Sequence, residues 1–139
     1  MSRSILWTGR VISALPVLAM VFSAVIKFRA PPEVVQAFTG KYGYPAEVLT
    51  TIGVLEVSCV ILYVIPQVAV LGAVLMTAYL GGAVATHVRA SEAWFAPVIV
   101  AALAWLGLYL REPRLHELLP LRRLPETDSM PAAHPEAPR

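Results

Sequence analysis

The sequence predicts an all-α membrane protein: one up-down-up-down bundle of four transmembrane helices, with a short interfacial helix between the first two spans. The 139 residues are 58% hydrophobic and only 14% charged, whereas soluble domains carry about 25% charged residues. Crossing a hydrocarbon core of about 30 Å takes about 20 apolar residues. Breaks that contain proline, glycine or charge separate four apolar segments close to that length, at residues 7–28, 46–65, 67–87 and 94–111.

The first segment has no charge between Val11 and Ile26. These residues cover about 24 Å as a helix, so Arg10 or Lys27 should lie at the interface or just below it. Trp7 and Arg10 are typical interfacial anchors. A signal peptide is excluded because the stretch is long for one and three more hydrophobic segments follow. A seam of residues three and four apart is expected to face the other helices: Ser13, Pro16, Met20, Ser23 and Lys27.

The connection between the first and second spans, residues 30–45, is the longest internal one. The pair Pro31-Pro32 ends the first helix. Residues 33–38 are expected to form one or two amphipathic turns on the membrane surface. Residues 39–45 contain glycine, tyrosine and proline in a pattern that predicts turns.

The second span carries one charge, Glu56, almost at its midpoint. An acid at that depth costs roughly 2.5 to 3.5 kcal/mol, so it needs protonation, a partner or a wet cavity. We predict that Glu56 faces the bundle interior and is neutral unless Lys27 reaches it. A hydrogen-bonded packing role and a functional role both remain open. The predicted interior face comprises Leu49, Gly53, Glu56, Cys59, Val60 and Tyr63.

A tight hairpin at Pro66-Gln67 leads into the third span, which is uncharged as far as Thr86. Small residues four apart in this span should let helix backbones approach closely. The fourth span begins at Trp94, after the turn Ser91-Glu92-Ala93. We predict one domain over residues 1–124 and a disordered tail over 125–139, which is polar and proline-rich. The two sets of small residues are Ala78, Gly82, Thr86 and Thr77, Gly81, Ala85.

Charge bias predicts that both termini lie in the cytoplasm, because four spans put them on the same side. Six basic residues near the spans lie on the side of the termini and four lie on the other side. The six are Arg3, Arg10, Arg111, Arg114, Arg122 and Arg123, and the four are Lys27, Arg29, Lys41 and Arg89.

The ionisable and aromatic residues at the side of the 30–45 connection form the candidate site: Glu56, Lys27, His87, Tyr44 and Trp94. Glu56 lies about 16 Å deeper than Pro45 in a straight helix, and Lys27 lies about 5 Å from its own helix end. A Lys27–Glu56 pair is therefore allowed but not required. Lys27 could instead extend to the headgroups, and His87 could be an ordinary interfacial histidine.

Several chemistries are excluded or unsupported. Cys59 is the single cysteine, which rules out an internal disulfide, a paired-cysteine redox site and a thiolate metal centre. We predict no metal, and no cofactor is evident from the residues alone. The net charge of +2, without a basic-aromatic pattern, gives no support to nucleic acid as a partner. Three ionisable residues around one cavity suffice for a quinone headgroup or a proton relay.

These segments resemble the DoxX-like family of small four-helix bacterial membrane proteins, over about residues 7–124. The motifs are F-S-A-V-I-K-F, G-V-L-E, M-T-A-Y-L-G-G-A-V-A-T-H-V-R and A-W-L-G-L-Y-L-R-E-P-R-L. The resemblance implies a multi-pass protein of the bacterial cytoplasmic membrane. Lys27, Glu56 and His87 match the family's polar positions. Members of the wider group look like membrane subunits of quinone-linked oxidoreductase systems, although most have no assigned activity.

Two hypotheses for function follow, and the sequence does not choose between them. The first is a redox-associated membrane subunit that binds quinone or another small amphiphile near Glu56, with other membrane or redox subunits as partners. The second is a non-enzymatic membrane protein, either a small-molecule carrier or a structural partner in a complex. An acid–base enzyme that acts on a lipid is a more distant third. Whether the chain is an enzyme stays open, since it has no self-contained catalytic motif.

Overall fold

The computed structural model describes residues 3–118, with side chains as far as residue 116, and this part of the chain is helical with short connections. The predicted tail at 125–139, together with Arg122 and Arg123, lies outside the described residues. The helices are α1 (Arg3–Arg29), α2 (Pro32–Gln36, which continues into a π-helical turn at Ala37–Lys41), α3 (Val48–Val64), α4 (Ala69–Arg89), α5 (Phe95–Arg111) and α6 (Pro113–Leu118).

The four long helices surround a common interior. Helix α1 packs against α3 and α5, and α4 packs against the same two helices. Two of them, α1 and α4, are long and apolar enough to cross a membrane by length and composition, while α3 and α5 are apolar helices of 17 residues each. The fold is therefore all-α, as predicted. The interior holds Met20, Val60, Tyr63, Ala73, Met76 and Leu108.

Glycines allow the closest helix approaches, and all of these lie at one end of the molecule. A Cβ on Gly9 would lie 2.9 Å from the backbone of α5, and a Cβ on Gly107 would lie 2.7 Å from the backbone nitrogen of Ser13. A Cβ on Gly72 would lie 2.2 Å from the backbone nitrogen of Tyr63. Each position therefore excludes a side chain. We call this the glycine end of the bundle.

The predicted close packing at the later glycines of α4 was wrong. A Cβ on Gly81 or Gly82 would meet no atom within 4 Å. Small size permits close approach but does not cause it, and a neighbouring helix must also lie opposite. In α4 that neighbour is close at Gly72, near the tight hairpin, and absent ten residues further along.

Tyr63 ties three helices together at the glycine end. Its side chain is fully buried, its hydroxyl donates to the carbonyl of Ala104 at 2.7 Å, and the same hydroxyl lies 3.0 Å from Ser13 Oγ. Arg111 donates in turn to the carbonyl of Tyr63 at 2.9 Å. Because buried polar groups are costly without partners, these contacts fix how α1, α3 and α5 meet.

The opposite end is covered by the connection between α1 and α3. Pro31 is extended and Pro32 occupies the first helical turn, where its missing N–H costs nothing. Helix α2, Pro32–Gln36, lies where one or two amphipathic turns were predicted over residues 33–38. The turn predicted at Thr39-Gly40 is instead part of the π-helical turn, and the chain reverses at Gly43, whose φ of 71° suits glycine. We call residues 32–44 the cap segment.

The outward faces of the long helices are apolar. Leu18, Phe22 and Val11 are each more than 60% exposed on α1, and Leu55 and Leu106 are about half exposed on α3 and α5. No charged residue lies within Val11–Ile26, and Glu56 is the only one within α3. In water such faces would favour aggregation, whereas in lipid they match their surroundings.

Candidate functional site

A buried ion pair between α1 and α3 forms the centre of the site. Lys27 Nζ lies 2.9 Å from Glu56 Oε2, and the two residues are only 9% and 2% exposed. Lys27 also donates to the hydroxyl of Ser23, one turn earlier on the same helix. The pair that the sequence allowed but did not require is therefore present. A charged partner and a hydroxyl together offset the cost of burying the ammonium group.

Helical periodicity explains why these two side chains meet. The six buried residues of α3 are the six of the predicted interior face, with Glu56 at its centre. On α1, four of the five residues of the predicted seam are buried, and the fifth, Ser23, is half-buried; the four are Ser13, Pro16, Met20 and Lys27. Helices α1 and α3 pack along these faces, so the lysine at the end of one meets the acid in the middle of the other. The prediction that Glu56 faces the interior is confirmed.

A cavity of about 540 Å³ lies beside the ion pair and is bounded by all four long helices and the cap segment. Lys27, Glu56 and Ser23 line one side of it. Binding sites for small molecules are typically 300–1,000 Å³, mostly apolar, and contain a few placed polar groups. The remaining walls come from small residues of α4 and from apolar and aromatic residues: Ala78, Gly82, Ala83, Tyr79, Pro97, Val100, Phe38, Tyr42 and Tyr44.

Glu92, in the turn after α4, holds the cap segment over the cavity. Its carboxylate accepts hydrogen bonds from Lys41 and from the hydroxyl of Tyr42, the latter at 2.6 Å. His87 Nδ1 lies 3.0 Å from the same carboxylate, but the ring nitrogen is not aligned for a hydrogen bond. Ser91, with a φ of 55°, makes the left-handed turn that brings Glu92 back toward His87. One acidic side chain therefore connects the cap segment to the end of α4.

The charge state of this cluster follows from its contacts. Hydrogen bonds from Lys41 and Tyr42 lower the pKa of Glu92 to about 2. Burial raises the pKa of Tyr42 to about 12, and the neighbouring Glu92 carboxylate adds to the rise. At neutral pH the carboxylate is ionised and the phenol keeps its proton, so the bond between them is charge-assisted.

Aromatic contacts complete the closure. The hydroxyl of Tyr44 lies 2.9 Å from Thr86 Oγ1, and the guanidinium of Arg89 lies 5.7 Å from the centre of the Tyr44 ring. Arg89 also donates to the backbone carbonyl of Tyr42. Phe38 packs against both tyrosines, with ring centres 5.5 and 6.1 Å away. The cap segment is thus attached to α4 by both polar and ring contacts.

Four of the five predicted site residues line the same cavity: Lys27, Glu56, His87 and Tyr44. The fifth, Trp94, is 52% exposed at the start of α5 and does not line it. Lys41 and Glu92 were not among the predicted site residues. The spacing of Ser23 one turn before Lys27 could have predicted their contact from the sequence. The contact between Lys41 and Glu92 could not have been predicted in this way, because the two residues are 51 positions apart.

Apolar outer faces, an all-helical fold and an ionised pair beside an internal cavity define a small helical membrane protein. The chain belongs to the DoxX-like family, whose model matches residues 11–107. The match includes Lys27, Glu56 and His87 and ends within α5, so the family resemblance drawn from the motifs is confirmed. No curated protein and no solved structure matches the chain.

Proposed function

We propose that this protein crosses the bacterial cytoplasmic membrane four times and binds a small amphiphile, with quinone as the leading class, in the cavity beside Lys27 and Glu56. In this proposal the helices α1, α3, α4 and α5 run up-down-up-down, and both termini are cytoplasmic. The protein then serves as a ligand-binding subunit of a membrane redox system. The observation that carries the proposal is a cavity of ligand size that reaches a buried ion pair.

The four-span arrangement is supported by where charge is placed. Helices α3 and α5 are about 25 Å long at 17 residues each, which approaches the thickness of the hydrocarbon core. They lie side by side with the longer α1 and α4, so all four share one apolar layer. Apart from Glu56, the charged groups of the long helices lie within about two turns of a helix end, from where a long side chain can extend toward water.

The polar groups of the cavity fit a headgroup that accepts hydrogen bonds. Among the described residues, the ammonium of Lys27 donates to Glu56 and Ser23, which leaves one of its three N–H groups for a ligand oxygen. Tyr79 also lines the cavity, and its aromatic ring adds apolar surface beside the ion pair. Quinone carbonyl oxygens are acceptors of this kind. A bound quinone would supply the redox chemistry, while Lys27 would donate to one of its oxygens.

The far end of the cavity suits a flat ring. Phe38, Tyr42 and Tyr44 form its aromatic border, and His87 lies 5.9 Å from the Tyr42 ring centre. Aromatic rings bury large apolar area and favour stacked or edge-on contacts. The cavity therefore combines an ion pair with an aromatic border, as an amphiphile with a ring headgroup requires.

The test is binding of decylubiquinone to the purified full chain in detergent, followed by tryptophan fluorescence. The Lys27→Met variant should bind at least about tenfold more weakly, because it loses the donor that faces the cavity. The matched control is Arg29→Met, which removes a positive charge two residues further along the same helix, at an exposed position that does not line the cavity. It should keep most of the wild-type affinity.

Two outcomes would reject the proposal: no saturable binding by the wild type, or equal binding by the wild type and Lys27→Met. Circular dichroism of each variant checks that the helices are retained. Saturable binding of phospholipid with no binding of quinone would favour the alternative of a non-enzymatic carrier or structural partner.

A further inference from the structure

We infer that the ligand of this cavity carries an apolar chain, which leaves the cavity sideways into the lipid through the crevice between α3 and α4. The inference rests on the proposed binding function and adds the class of ligand and its route. It predicts a lipid-dissolved molecule with one polar head and one tail.

Helices α3 and α4 make their closest contact at the glycine end. They touch backbone to backbone where Gly72 faces Tyr63. Gly82 lies ten residues further along α4, nearly three turns, and a Cβ there would meet no atom within 4 Å. Gly82 is exposed and lines the cavity, so the surface of α4 is open beside the cavity at this level. Between these two levels, Tyr79 of α4 and Glu56 of α3 both line the cavity.

The residues of the crevice both line the cavity and face outward. Leu55 on α3 is 54% exposed and lines the cavity, and Ala78 and Gly82 on α4 are also exposed and line it. A residue with both properties borders an opening. Ile52, Leu55, Ala78 and Gly82 carry no charge, so the opening is apolar throughout.

The depth of the opening points to lipid as the source of the ligand. Leu55 is adjacent to Glu56 near the middle of α3, and the outer face of the helix at this level is apolar. In the proposed orientation this level lies in the hydrocarbon core of the bilayer, where polar solutes are rare and alkyl chains are soluble. The aqueous end is covered by the cap segment through Glu92.

A second set of small exposed residues, Ala19 and Ala96, borders the cavity between α1 and α5. The α3–α4 crevice is the better exit because Glu56 and Tyr79 lie directly behind it. In addition, α1 and α5 make the most extensive contact of any helix pair. A chain that leaves between α3 and α4 keeps its head beside the ion pair without parting that contact.

The experiment blocks the crevice and changes the tail of the ligand. Gly82→Leu places a large side chain at the opening. Gly81→Leu is the matched control, since it makes the same change one residue away, in equally open space, at a position that does not line the cavity. The two probes are decylubiquinone and the same quinone ring with methyl in place of the decyl chain.

We expect Gly82→Leu to weaken binding of the decyl compound by at least about tenfold and binding of the methyl compound by less than about twofold. Gly81→Leu should change neither affinity by more than about twofold. Equal effects of the two leucines on the decyl compound would overturn the inference. So would an equal loss of both ligands in Gly82→Leu, which would mean that the leucine blocks the head and not the tail.

If the wild type bound neither quinone, the proposed function itself would be rejected. This outcome differs from those that overturn only the exit route, in which the wild type still binds. If Gly82→Leu does not fold, Ala78→Leu with the control Ala85→Leu provides the same comparison. Ala78 lines the cavity and Ala85, also exposed on α4, does not. If Ala19→Leu weakened binding of the decyl compound and the leucine substitutions on α4 did not, the exit would lie between α1 and α5, and the inference would be overturned.

Discussion

Removing the charge of Glu56 is the most informative perturbation of this protein. Glu56→Gln keeps the shape of the side chain and leaves the ammonium of Lys27 without its counter-ion, 2.9 Å away. Glu56 is 2% exposed and Lys27 is 9% exposed, so water replaces little of the lost interaction. If Glu56 were only a neutral hydrogen-bonded packing residue, the same substitution would change stability very little.

The expected cost follows from the burial of the pair. Breaking a buried ion pair on one side costs about 3–5 kcal/mol. The lower end, about 3 kcal/mol, applies here because Lys27 keeps its bond to Ser23 and borders a cavity. For a chain of 139 residues that loss lowers the apparent unfolding temperature by on the order of 10 °C.

The assay is thermal unfolding of the purified protein in detergent, followed by circular dichroism, for both single variants and the double variant. Lys27→Met with Glu56→Gln removes both charges, and it should recover most of the loss because neutral replacement of a buried pair is often nearly free. The losses of the two single variants should therefore sum to at least about 3 kcal/mol more than the loss in the double variant. Glu47→Gln, exposed before α3, is the control and should stay within about 0.5 kcal/mol of wild type. Additive singles, or a Glu56→Gln variant as stable as the wild type, would refute a buried ion pair.

Three further predictions concern packing, pH and topology. Gly72→Ala should destabilise the protein strongly in the same thermal assay, since its Cβ would overlap the backbone of α3, whereas Gly81→Ala should stabilise by up to about 1 kcal/mol; equal effects would refute the close contact. Because the pKa of Glu92 falls from 4.5 to about 2 through Lys41 and Tyr42, its contribution to stability is present above pH 4.5 and is lost as the pH falls through about 2. Thermal scans across this range should show a decline that Glu92→Gln lacks, and an unchanged decline in that variant would count against the cluster. A reporter fused after Arg139 should be active in the cytoplasm, and activity only outside would reverse the proposed topology.

The helices and the faces they bury could be predicted from the sequence, because both depend on local spacing. Apolar runs between proline and glycine breaks predicted four long helices, and the period of 3.6 residues placed Glu56 at the centre of the buried face of α3. The seam on α1 that includes Lys27 followed in the same way. The residues that line the cavity at one end were predicted from topology, since successive antiparallel helices return their ends to the same side.

Where two helices touch could not be predicted, as the glycines of α4 show. Gly72, Gly81 and Gly82 are alike in sequence, yet a side chain is excluded only at Gly72. The difference is the backbone of Tyr63, brought opposite Gly72 by the tight hairpin. Trp94 shows the reverse case: it has a site-like residue type at the right end of the bundle, but its position on α5 turns it outward, away from the cavity.

By itself, the sequence determined an apolar, all-helical chain of the DoxX-like family with one acid that must face inward, because burial of Glu56 in lipid without a partner is too costly. Only the tertiary structure decided that Lys27 is that partner, since contact between residues 29 apart depends on how α1 and α3 cross. It also decided that Lys41 of the cap segment binds Glu92 in the turn after α4. Long-range contacts of this kind depend on the angle and the distance at which two helices pack. Local residue spacing does not specify either quantity.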